Sequence, residues 1–146
     1  MVILRKLVEF KVGTKDMITI YMMFIRSVLE QSSVVWSSSL TQEQLNSLER
    51  AQKVALKIIF QEKYTSYENA LKLSNLSTLK IRYEQLLIRF AKKCIKNDRT
   101  KDILPLNVTT DRLRQHEKYC VPFARKERFK KSTIPTMARM LNNDTK

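Results

Sequence analysis

Apolar residues recur at helical spacing through the first two-thirds of the chain. After Gly13, Thr14 is placed to cap a helix in which Ile18, Tyr21, Met22, Ile25, Val28 and Leu29 face a core. Arg26 and Glu30 are four apart and are expected on its solvent side, where Arg leading Glu opposes the helix dipole and adds little. Serines 32, 33, 37, 38 and 39 end it, and Val34, Val35 and Trp36 read as an apolar plug packing back on it. Thr41 opens a second helix with Gln44 at the capping-box spacing. Leu45, Leu48, Ala51, Ala55 and Leu56 run down one side to Ile58, Ile59 and Phe60, and the helix ends near Gln61. A short third helix begins where Thr65 and Glu68 repeat the capping-box spacing, carrying Ala70, Leu71 and Leu73 to Asn75. The fourth and longest is expected from about 77 to 97, with Leu79, Tyr83, Leu86, Leu87, Phe90, Cys94 and Ile95 on its buried stripe.

Beyond Asn97 the pattern breaks. DILPL turns at Pro105, residues 107–132 hold no period of 2 or 3.6, and only 134–141, with Met137, Met140 and Leu141 on one side, resumes an amphipathic turn. One Gly and three Pro in 146 residues leave few positions for tight β-turns, whereas Leu, Lys, Glu, Gln and Arg suit helices. The expected fold is therefore all-α. It comprises a lead-in at 1–13, a small helical bundle at 14–97, and a basic, largely extended tail at 98–146 with a short terminal helix.

The run 18–36 is apolar enough to raise the question of a membrane span. Arg26 and Glu30 in its middle argue against one, since a central Arg alone costs about 2.5–3.5 kcal/mol to insert. The opening MVILRKLVEFKVG is too broken to be a signal-peptide core. Cys94 and Cys120, with no signal peptide beside them, fit a reduced intracellular setting, nucleus or cytoplasm rather than secretion. The sequons at Asn75, Asn107 and Asn143 then carry no sugar.

Lys plus Arg outnumber Asp plus Glu by 28 to 14, a formal net charge of +14. That excess points to a polyanion, and its distribution sharpens the point. Residues 81–101 hold Arg82, Arg89, Lys92, Lys93, Lys96, Arg99 and Lys101 against Glu84 and Asp98 only. Residues 121–146 hold Arg125, Lys126, Arg128, Lys130, Lys131, Arg139 and Lys146 against Glu127 and Asp144. On the fourth helix Arg82, Arg89, Lys92, Lys96 and Arg99 form roughly one stripe, able to track a phosphate backbone by counterion release. A solvated helix face is the plain alternative. The second cluster interleaves Tyr119, Phe123 and Phe129 with cations, so Tyr119 and Phe129 are candidates for stacking on exposed bases, although such rings are more often packed. RKERFKK also matches a nuclear-localisation pattern.

Catalytic constellations are missing. The five aspartates, at 16, 98, 102, 111 and 144, include no Asp-Asp pair to hold two metal ions, which excludes polymerase chemistry by this chain in any familiar form. His116, Cys120 and Cys94 give three potential ligands without a CxxC, a weak signal for a zinc site, and a surface histidine beside Glu117 is the plainer reading. No Gly-rich phosphate loop or nucleophilic triad is present. No cofactor and no enzymatic activity are expected.

The ordered set TIYMMFIRSVLEQSSVVWSSSL, LERAQKVALKIIF, YTSYENALKLSNLSTLKIRYEQLLIRFAKKCIKN and EKYCVPFARKERFKKSTIPTMARMLN resembles the C-terminal part of non-LTR (LINE-type) retrotransposon reverse transcriptases, from about Ile3 to Asn142. In that family the first of these runs begins the thumb, a helical bundle that closes over primer-template duplex. The resemblance implies a thumb with its tail, lacking endonuclease, fingers and the palm with its YxDD-type motif. It also implies that the apolar first helix once had the palm beside it. One departure is Gln61, where relatives commonly have Gly, so the second helix is expected to run further.

The function expected is that of a polymerase remnant binding RNA or DNA without sequence specificity. The alternatives are a helical protein-interaction module, partnered by a palm-containing polymerase segment or self-associating through helix 14–36, and the unselected product of a decayed mobile element.

Overall fold

A computed structural model describes residues 1–107 and 118–144. The fold is all-α, as the periodicity predicts, with 74% of the described residues helical and no strand among them. The chain forms two compact units, one of residues 1–31 and 41–82, the other of residues 32–40 and 83–146.

The first unit begins earlier than a lead-in. Helix α1 (Val2–Glu9) buries Leu4 in the core with Leu7 and Val8 packed beside it, and ends in a turn where Lys11 takes φ 54° and Val12 N–H donates to Leu7 C=O. Helix α2 (Thr14–Ile20) runs without interruption into a π-helical stretch, Tyr21–Arg26, and then α3 (Ser27–Glu30). The wider turn changes which side chains point inward. Met17 and Tyr21 are buried, while Met22 and Val28, expected on the core stripe, are exposed together with Met23 and Phe24. Arg26 is not on a solvent face either, being almost wholly buried.

Helix α5 (Gln42–Phe60) carries the expected capping box, with Gln44 N–H donating to Thr41 Oγ1 and Thr41 N–H to Gln44 Oε1. Its Ala55, Leu56, Ile59 and Phe60 form the heart of the core with Ala70 and Leu71 of α6 (Tyr67–Ser74). The helix stops at Phe60 and does not run on, because Gln61 adopts φ 46°, ψ −119°, a conformation suited to the missing glycine. The cap of α6 lies one residue later than expected: Ser66, not Thr65, accepts from Asn69 N–H, and Thr65 Oγ1 takes the Asn69 side chain instead. Asn75, at φ 53°, supplies its left-handed C-terminal turn.

A polar network lies inside this unit. Gln52, with no exposed surface, accepts from Tyr21 OH (2.9 Å) and donates to Tyr67 OH (2.9 Å) and Ser77 C=O (3.0 Å). Glu49 accepts from Tyr67 OH and from Leu79 N–H at the start of α7 (Leu79–Lys96). Burial, then the hydrogen bond to Glu49, push the Tyr67 phenol above its usual value, against the opposing bond from Gln52.

In the second unit α4 (Ser33–Trp36) follows Ser32 at φ 52°. Val34 of this segment joins the second unit's core, and Trp36 meets Tyr83 edge-on, ring centroids 5.3 Å apart. That core is built from Leu87, Ala91 and Cys94 of α7, Leu104, Tyr119, and Met137, Ala138 and Leu141 of α9 (Thr133–Asp144). Phe90 is exposed and the buried stripe passes through Ala91. The tail expected to be extended is therefore partly folded. Leu106 and Tyr119 form an antiparallel bridge, Asn107 N–H donates to Lys118 C=O and Cys120 N–H to Pro105 C=O. Asn142 clamps the same segment, accepting from Tyr119 N–H (2.9 Å) and donating to Tyr119 C=O (3.0 Å). A single turn, α8 (Glu127–Lys130), precedes α9.

Candidate nucleic-acid interface

The helical period sorts the basic residues of α7. Leu87, Ala91 and Cys94 define its buried face, and at about 100° per residue Arg89, Lys92 and Lys96 fall opposite it, with Lys93 at the margin. All four are exposed. The sequence thus makes one helix with an apolar half that seats it in a core and a cationic half left to water. Lys92 reaches Asp144 at 2.5 Å, with both side chains about half exposed, so the pair is a weak surface contact that another anion can displace.

Arg82 does not belong to this face. Its guanidinium grips Glu30 with two nitrogens, Nε to Oε1 at 2.9 Å and Nη2 to Oε2 at 3.1 Å, while Arg26 Nε donates to the same Oε1 at 2.8 Å. Burial would push the Glu30 carboxyl up, but the hydrogen bonds and charges of Arg82 and Arg26 together hold it below its ordinary value. The same bond raises Arg82 further, against a smaller effect of burial. Arg82 is thereby committed to a half-buried structural ion triad. Arg99 is exposed, and Lys101 pairs with Asp98 at 3.0 Å in a surface contact.

In the tail cluster, Arg125, Lys126, Arg128, Lys130 and Lys131 are all exposed. Lys130 pairs with Glu127 at 3.3 Å. Lys126, Arg128 and Phe129 line a concavity of about 310 Å³ with Ser39 and Ser132. The two stacking candidates part company. Phe129 is 47% exposed, whereas Tyr119 is 6% exposed in the second core, its backbone held by Asn142, so its ring is packed and not offered to a base. Ser39 was not legible as a partner of this site, since only the fold of the second unit brings it to residues so distant in sequence.

Among the described residues no group of three or more His, Cys, Asp or Glu could hold a metal ion. Cys94 is buried in the second core and Cys120 is exposed, while His116 lies outside the described residues. No helix among the described residues is long and apolar enough to cross a membrane. Comparisons with protein-family models, characterised proteins and solved structures give no match.

Proposed function

We propose that the chain binds the phosphate backbone of RNA or DNA without sequence specificity, as a segment similar to the thumb and tail of non-LTR reverse transcriptases. The observation that carries the reading is the exposed cationic half of α7, formed by Arg89, Lys92, Lys93 and Lys96 opposite a packed apolar half. The three lysine ammonium groups attract phosphates by charge and counterion release without a planar fork to read a base edge, and the Arg89 guanidinium grips a phosphate equally well, so affinity falls with salt and is governed by the backbone rather than by sequence. Arg125, Lys126, Arg128 and Lys131 add a second group of exposed cations. Binding to unrelated duplexes at several salt concentrations tests it: equal affinities that fall linearly on a log-log scale support the reading, and no binding at low salt refutes it. The chain supplies no polymerase chemistry, and purified protein with primed template and Mg²⁺ should extend nothing.

A second reading follows from the π-helical stretch and α3. Met22, Met23, Phe24 and Val28 are exposed, with Phe24 at 65%, a larger apolar surface than an isolated residue presents. It suits a palm-containing segment or a second copy of the chain. Concentration-dependent sedimentation that M23K/F24K abolishes supports this, and a monomer at all concentrations refutes self-association.

A further inference from the structure

We propose that the concavity lined by Ser39, Lys126, Arg128, Phe129 and Ser132 holds one unstacked nucleotide of a single strand, its phosphate between Lys126 and Arg128 and its base against Phe129. The inference rests on the nucleic-acid reading above and names the form of ligand that this part of the surface takes. At about 310 Å³ the space is near the lower end of ordinary ligand sites, the scale of a single nucleotide rather than a duplex.

Its charge is uncompensated. Lys130 in the same turn is answered by Glu127, but neither Lys126 nor Arg128 has a carboxylate within ion-pair distance among the described residues. Two unanswered cations beside a half-exposed aromatic ring combine an anion site with a π-face, the pairing used on single strands whatever their sequence. A phosphorylated peptide would use the cations and leave the ring idle.

The walls are also held in place. On one side Val35 C=O accepts from Thr133 Oγ1 at 2.8 Å, which ties the segment leading to Ser39 to the start of α9. On the other, Ser132 Oγ donates to Phe129 C=O at 2.7 Å and Arg139 Nη2 donates to Lys130 C=O at 2.5 Å, tying the turn bearing Phe129 to the same helix. A preformed site loses little affinity to ordering. Ser132 spends its proton on that bond, so towards a ligand it accepts, while Ser39 can donate.

The test uses the full chain and three labelled probes at one salt concentration: a short single strand, the same strand with abasic sites, and a duplex. F129L should weaken binding to the intact strand by about 5- to 150-fold, the equivalent of one lost base stack, and leave the abasic strand and the duplex unchanged. F129Y should restore the intact strand, and K126A/R128A should weaken both single strands. Equal effects of F129L on intact and abasic strands, or no effect on either, overturn the inference. If the duplex still binds while F129L is silent, this inference alone falls. If no probe binds, the function proposed above falls with it.

Discussion

Gln61 gives the most direct test of how this chain ends its helices. At φ 46° and ψ −119° it occupies backbone space that side chains with a Cβ rarely enter, and such a residue carries about 1–3 kcal/mol of strain. Gly would remove that strain but has more freedom to lose on folding, about 0.5–1 kcal/mol. Gln61 itself is exposed and has no packing to forfeit. The net expectation for Q61G is a gain of roughly 0.5–2 kcal/mol, and at about 2–4 °C per kcal/mol for a chain of this size Tm rises by a few degrees. Urea and thermal melts of wild type, Q61G and Q61A read it. Q61A keeps the Cβ and should stay near wild type, which separates relief of strain from loss of the Gln side chain. Q61G melting at or below wild type would refute the reasoning.

Two further perturbations probe the first unit. Q52L should destabilise by about 2–4 kcal/mol in urea melts, because it removes the buried hydrogen bonds that Gln52 makes to the Tyr21 and Tyr67 hydroxyls and the Ser77 carbonyl; wild-type stability would show that these bonds contribute little. The Glu30 triad should be lost in acid. Its folded carboxyl titrates below its ordinary value of 4.5, so its contribution is fully present above that pH and fades as pH falls through the lowered folded value. The stability difference between wild type and E30Q should shrink between neutral pH and pH about 3, and a constant difference would contradict the assignment.

How far the sequence was legible follows a physical division. The α5 cap and the helix over 79–96 were readable because their signals are local: a capping box, and an apolar stripe at one period. The π-helical stretch was not, since its register shift moves Met22 and Val28 outward without any change in the pattern of residue types. Gly content misled at Gln61. A chain with one glycine still places Lys11, Ser32, Gln61 and Asn75 at positive φ, because helix ends demand it whatever residue is available. Tertiary partners decided the rest. Asn142 draws Tyr119 into a core that periodicity did not foretell, Glu30 removes Arg82 from the basic stripe, and Ser39 reaches Phe129 only through the anchoring of both segments on α9.

The measurement closest to the central claim is the salt dependence of duplex binding by wild type and by K92A/K93A/K96A. Each phosphate contact on B-DNA contributes about 0.9 to the slope of log K against log salt, so the triple variant should bind more weakly and show a slope shallower by about 2 to 3 units. The loss should be the same on unrelated sequences. A slope equal to that of wild type would contradict the account and leave the cationic half of α7 as a solvated surface.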